Sequence, residues 1–131
     1  VVGARLFGFS GWVLGISVDE QAEVLQARVA GLATEVAEFV GEDLTFKPQD
    51  VRVNADYLGG GYGVVSETER EAIRLFAQHE GILLDPVYTG RAAGGMIDLI
   101  RQGFFAPDDT VLFWHTGGLP ALFAEKYRGV V

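Results

Sequence analysis

The sequence predicts an α/β fold, a three-layer αβα arrangement with a mostly parallel sheet, and two observations carry that prediction. Short apolar runs at 13–18, 82–84 and 111–114 alternate with longer segments whose apolar residues recur every three or four positions. This is the pattern of buried strands separated by helices. The joints between the segments carry helix-start and helix-stop chemistry: an acidic pair, a capping box and closing glycines.

Taken in order, residues 2–9 read as the last turns of a helix, closed by Ser10 and Gly11. Val13 to Val18 follows as a short buried strand. Asp19 and Glu20 open a long amphipathic helix, where acidic side chains suit the positive end of the macrodipole. Leu25, Val29, Leu32, Val36 and Val40 form its apolar stripe, and Gly41 ends it. Glu42 to Val53 is a polar connector leading into an extended run, where Val51, Val53, Ala55 and Tyr57 alternate with polar residues as an edge strand or extended loop. A glycine loop, Gly59-Gly60-Gly61-Tyr62-Gly63, precedes Ser66-Glu67-Thr68-Glu69, a Ser-x-x-Glu capping box. The helix it starts runs through Ile73, Phe76 and Ala77 to Gly81. Ile82 to Leu84 is a second compact strand, and Asp85 to Gly90 leads into a helix over about 91–102 with Ala93, Met96, Ile97 and Ile100 inward. Gly94 and Gly95 weaken that helix by propensity, so they are read as points of close packing. Pro107-Asp108-Asp109 is a turn. Val111 to Trp114 is a strand buried on both faces, and Pro120 sits where the first turn of a final helix, running to about Tyr127, would accept it.

Composition excludes several function classes. The 131 residues are 49% hydrophobic and 21% charged, which is globular and not disordered. A net charge of −8 without a basic cluster argues against nucleic-acid binding. Without cysteine there is no disulfide framework and no thiolate metal site. No apolar run has the length of a membrane span and no basic-then-apolar leader opens the chain, so a cytoplasmic location is the expectation. Glycine is the outlier, with 18 occurrences, several of them paired where backbone must turn or come close to something.

The candidate chemistry lies at strand ends. His115 and Thr116 stand where the run 111–114 gives way to Gly117 and Gly118, and Tyr88 and Thr89 stand in the matching place before the preceding helix. A shared polar crevice at the ends of parallel strands is a common ligand site. The plainer alternatives are a histidine satisfied by a backbone carbonyl, a strand-end aromatic and two threonine caps. The glycine loop does not match G-x-G-x-x-G and does not lie between a clear strand and a helix, so it reads as a loop presenting Tyr62 and not as a phosphate cradle. His79 falls on the exposed side of a charged helix. No metal-ligand spacing and no Ser-His-Asp arrangement is legible.

Four stretches together carry a family resemblance: Gly59-Gly60-Gly61-Tyr62-Gly63, Glu71-Ala72-Ile73-Arg74-Leu75, Glu80 to Gly90, and His115 to Phe123. In that order and spacing the chain resembles the C-terminal portion of the pyridoxal-phosphate enzymes that include D-cysteine desulfhydrase and 1-aminocyclopropane-1-carboxylate deaminase. These share the tryptophan synthase β-like fold, fold type II of the pyridoxal-phosphate enzymes. The resemblance implies a lyase with pyridoxal 5'-phosphate as cofactor. Tyr62 and Tyr88 would be catalytic, Thr116 would offer its hydroxyl to the pyridine nitrogen, and Tyr88, Thr89, Gly117 and Gly118 would also border the cofactor. It further implies a small amino-acid substrate and a homodimeric intact enzyme. The cyclopropane deaminases typically carry Glu where Thr89 stands and Leu where Thr116 stands, so threonine at both points toward the D-cysteine desulfhydrase type.

The lysine to which the family attaches its cofactor, and the family's phosphate-binding loop, belong to an N-terminal half. The lysines here are Lys47 and Lys126, and neither lies in that motif. The expectation is therefore a single α/β segment, 1–131, truncated at its N-terminus and inactive alone, with an exposed apolar edge around Val13 to Val18. A non-catalytic α/β domain that binds a ligand or partner is the competing reading.

Overall fold

The computed structural model describes residues 1–130, and these form two compact units, Val1–Asp56 and the residues from Tyr57 onward. In the first unit, helix α1 (Val2–Leu6) precedes strand β1 (Leu14–Ile16), helix α2 (Ala22–Phe39) and strand β2 (Arg52–Asn54). The strands are parallel, with Leu14 opposite Arg52 and Ile16 opposite Asn54. A helix between two parallel strands is the βαβ unit that the alternation predicts. Trp12 and Val13, leading into β1, are both exposed, and the Arg52 guanidinium lies over the Trp12 ring.

The long helix begins later than the acidic pair suggests. The buried Ser17 hydroxyl donates to the Glu20 carbonyl and accepts from its N–H, holding 17–20 as a turn. Its buried face also differs from the predicted stripe. Ala30, Ala33 and Ala37 are buried with Phe46 and Val51, whereas Leu32, Val36 and Val40 are exposed. The reason is local: Thr34 donates to the Ala30 carbonyl and accepts from the Phe46 N–H. That fastens the connector onto the alanine face, where small side chains allow close approach. Val29 packs at its margin.

In the second unit, helix α3 (Glu67–Leu75) continues into a wide π turn over Phe76–Glu80, closed by Gly81 at φ +64°. Helix α4 (Thr89–Arg101) packs against it. A Cβ on Gly94 would stand 2.7 Å from Thr68 Cγ2 and 3.2 Å from its carbonyl oxygen, so the close packing expected there is real. Ala72, Ile73, Leu84, Ala93 and Val130 form the core, flanked by Ile97, Phe113 and Tyr127. On α4, Leu99 is buried and Ile100 is exposed, the reverse of the predicted orientation at that turn.

Three predicted elements change form. Residues 82–84 join no ladder among the described residues. The Ile82 N–H closes the π turn on the Phe76 carbonyl, and the Leu83 carbonyl is bonded to the His115 ring. Residues 111–114 also lie outside a ladder and are not buried on both faces: Phe113 packs on Phe76, while Leu112 and Trp114 are 78% and 77% exposed. The final helix is two short 3₁₀ segments, Leu119–Phe123 and Glu125–Tyr127. Pro120 withholds an N–H, and the bonds that form span three residues, Ala121 to Gly118, Ala124 to Ala121 and Tyr127 to Ala124. The predicted turn at 107–109 is present, with the Ala106 N–H on the Asp109 carboxylate. Among the described residues, no helix is long and apolar enough to cross a membrane.

Candidate functional site

The site is built on one carboxylate. Asp85 is fully buried at the start of α4, and its two oxygens accept four hydrogen bonds. Oδ2 takes the N–H groups of Val87 (2.7 Å) and Tyr88 (2.8 Å), and Oδ1 takes the N–H and hydroxyl of Thr89, both at 2.7 Å. These N–H groups lie at the open end of the helix, where an anion is favoured by both the unpaired donors and the macrodipole. The Asp85 N–H donates back to the Thr89 hydroxyl, and its carbonyl accepts from the Gly90 N–H at 2.8 Å. A Cβ on Gly90 would lie 2.5 Å from that carbonyl, so only glycine allows the turn to close.

This turn has one outward member. From Leu84 to Arg91 every residue is buried except Tyr88, which is 43% exposed. Its hydroxyl is hydrogen-bonded to the hydroxyl of Tyr62, and the two rings meet edge to face with centroids 5.9 Å apart. The structure thus brings together the two tyrosines that the sequence singles out. Thr89 lies behind them, buried, with its hydroxyl committed to Asp85.

Tyr62 rides on a loop folded around a cation. The Arg91 guanidinium, 1% exposed, donates to the carbonyls of Leu58 (2.9 Å), Gly61 (3.1 Å) and Val64 (2.6 Å). Its Nε donates to Glu69 Oε1 at 2.7 Å. The other Glu69 oxygen accepts from the Ser66 N–H at 2.7 Å and from its hydroxyl, completing the capping box. Burial pushes the Glu69 carboxyl up, but the hydrogen bonds from Ser66 and Arg91 outweigh it and hold the group below the usual glutamate range. The glycine loop presents inward-facing carbonyls to a cation, the opposite of a phosphate cradle.

The third part is the stretch His115–Gly118, fastened at both ends. The Gly117 N–H donates to His115 Nδ1 at 3.1 Å, so Nε2 carries the ring proton and donates to the Leu83 carbonyl at 3.1 Å. Gly118, at φ +94°, lies directly against Asp85: a Cβ there would stand 2.5 Å from Oδ1. Thr116 is exposed between these fixings. A Cβ on Gly117, at φ +105°, would meet nothing within 4 Å, so open space lies beside its backbone. His115 also lines an open, mainly apolar pocket of about 460 Å³ with Phe76, His79, Ile82, Met96 and Phe113. Among the described residues, no three metal-ligating side chains are gathered in one place.

Sequence reasoning missed Asp85, Glu69 and Arg91 as members of the site. Asp-Pro ahead of Tyr-Thr-Gly is a turn-and-cap pattern that could have revealed Asp85. Nothing local connects Glu69 with Arg91, 22 positions further on.

Comparison with known proteins places these features in context. The family model described as pyridoxal-phosphate-dependent enzyme matches residues 13–117. The 1-aminocyclopropane-1-carboxylate deaminase of Methylobacterium nodulans is 42% identical over 127 residues, covering 97% of this chain and 38% of that protein. The D-cysteine desulfhydrase of Yersinia enterocolitica is 43% identical over 112 residues, covering 86% of this chain and 33% of that protein. The crystal structure of an ACC deaminase homologue superposes with a TM-score of 0.76 at 34% identity, covering 93% of this chain and 36% of that one. The chain therefore spans between 33% and 38% of the length of these relatives.

Proposed function

Since the chain belongs to the pyridoxal-phosphate-dependent enzyme family, we propose that it supplies the tyrosine pair and one cofactor-facing wall of a lyase acting on a small D-amino acid, of the D-cysteine desulfhydrase type. The observation that carries this reading is the convergence of two segments: Gly118 abuts the Asp85 carboxylate, so the wall bearing Thr116 packs directly against the turn bearing Tyr88. The residues fit the cofactor. Beside Gly117 there is room for a flat ring to approach backbone, Thr116 offers a hydroxyl of the kind that pairs with a pyridine nitrogen, and Tyr62 and Tyr88 present exposed hydroxyls.

Pyridoxal phosphate supplies an electron sink for the bonds at the substrate's α-carbon. The Thr116 hydroxyl, being neutral, would pair with the ring nitrogen without holding a proton there as a carboxylate would. Held by such a neutral partner, the group would supply a weaker sink, suited to loss of a β leaving group such as thiol. In the hydrogen bond between Tyr62 and Tyr88 one hydroxyl donates and the other keeps its own proton, which suits handling a proton at the substrate's reacting end. In this reading the lysine that carries the cofactor comes from outside these residues, and the intact enzyme is a homodimer.

Threonine at 89 and 116 supports the desulfhydrase type, whereas the deaminase of Methylobacterium nodulans, matched along 97% of the chain, favours the second reading, ring opening of the cyclopropane substrate. The full-length enzyme decides: sulfide and pyruvate released from D-cysteine are expected. Ring opening without sulfide release would overturn the first reading in favour of the second.

A further inference from the structure

We propose that Arg91 is a positioning residue of this site: its buried guanidinium holds the glycine loop closed and thereby sets the Tyr62 hydroxyl against that of Tyr88. The proposal rests on the reading of Tyr62 as substrate-facing and adds the residue through which that tyrosine is placed.

The geometry is specific to a planar fork. Nε faces Glu69, Nη1 reaches two carbonyls of the loop, Leu58 and Gly61, and Nη2 reaches a third, Val64. Two of these carbonyls also close the loop's own turns, since the Gly61 N–H donates to Leu58 at 3.1 Å and the Val64 N–H to Gly61 at 3.2 Å. The left-handed backbone at Gly59, Gly61 and Gly63 gives the loop little stiffness beyond those two turns, and at its far end the Tyr127 hydroxyl donates to the Gly63 carbonyl at 3.0 Å. A Cβ on Gly59 would lie 3.6 Å from Nη2, so the loop wraps closely around the group. Tyr62 lies between two of the anchored carbonyls. Glu69 supplies the counter-charge, and its other oxygen is held by Ser66, so the fork is fixed from the α3 side as well. Lysine keeps the charge but offers three donors from a single point, which cannot face Glu69 and span the three carbonyls together.

The test compares Arg91→Lys, Tyr62→Phe and the double variant in the cofactor-loaded full-length enzyme. Arg91→Lys keeps a cation opposite Glu69 and should leave the fold intact. Two readouts are taken: amide hydrogen exchange over 58–64, and kcat/KM for sulfide release from D-cysteine. Exchange at Gly61 and Val64 should quicken by roughly tenfold in Arg91→Lys while α4 stays protected. Its kcat/KM should fall about 10- to 100-fold, the range expected when a reacting group is displaced by about 1 Å. In the Tyr62→Phe background the same change should cost no more than about twofold, because the residue it positions has lost its hydroxyl. Unchanged loop exchange in Arg91→Lys, or an equal loss in both backgrounds, overturns the proposal. If Tyr62→Phe alone leaves kcat/KM unchanged, the substrate-facing reading of Tyr62 fails, and loop exchange then decides alone whether Arg91 holds the loop.

Discussion

Asp85→Asn is the sharpest perturbation of the turn that carries Tyr88. The substitution changes almost no volume, yet each carboxylate oxygen serves two donors. Asparagine keeps one acceptor and turns the other into a donor. If the amide nitrogen takes the Oδ2 position, it faces the N–H groups of Val87 and Tyr88, and both lose their partner. If it takes the Oδ1 position, the Thr89 hydroxyl can rotate to accept from it, but the buried Thr89 N–H is orphaned. The better orientation therefore strands one buried N–H and removes the charge from the remaining bonds. An orphaned buried donor costs about 1–3 kcal/mol, and each bond loses about 1 kcal/mol when its acceptor becomes neutral. Relief from burying a charge offsets part of this, leaving a net loss of about 2–4 kcal/mol. Urea unfolding of the full-length protein reads the loss, with Thr89→Val as the control that removes a single hydroxyl. A destabilisation by Asp85→Asn no larger than that of Thr89→Val would refute the assignment of the carboxylate as the hub of the turn.

Further outcomes follow from the same contacts. Gly118→Ala and Gly117→Ala both force a left-handed backbone on a residue with a Cβ, but only the former drives it into Asp85. Gly118→Ala should therefore be less stable by about 1–3 kcal/mol more in urea unfolding, while Gly117→Ala, whose methyl enters the open space beside the wall, should weaken cofactor binding in a fluorescence titration. Glu69 has a folded pKa below its unfolded value of 4.5, so its contribution is complete above that value and is lost as pH falls through the lower, folded one. Glu69→Gln should flatten the acid limb of a urea-midpoint profile measured from neutrality downward, and an unchanged limb would count against the buried pair. Leu84→Ala, at a fully buried position, should cost about 2–5 kcal/mol by the same measurement.

The sequence disclosed local chemistry well and tertiary pairing poorly. The capping box at Ser66, the helix end at Gly81 and the close approach at Gly94 depend on residues a few positions apart or on the lack of a side chain, and each is present. The alanine face of α2 was hidden because apolar periodicity favours the larger side chains. Here Leu32 and Val36 stay exposed while Thr34 ties the connector to the alanines. The strand propensity at 82–84 and 111–114 finds no ladder partner among the described residues. The Leu83 carbonyl is satisfied by an imidazole 32 positions away, a pairing that no periodicity encodes.

The two devices that hold the tyrosines are electrostatic opposites joined by one helix. Ahead of α4, a buried carboxylate gathers N–H groups and fixes Tyr88; within its first turn, a buried guanidinium gathers carbonyls and fixes the loop of Tyr62. Asp85 and Arg91 are six positions apart on backbone that is buried throughout except at Tyr88. Neither charge needs the other as its partner, because one is neutralised by helix N–H dipoles and the other by Glu69. The separation of the two hydroxyls is then set by the first turn of α4 and not by the flexible loop on which Tyr62 travels. A glycine-rich segment, entropically the least suited to hold a side chain in place, is thereby ordered by the cation at its centre, with the Tyr127 hydroxyl on the Gly63 carbonyl at its far end.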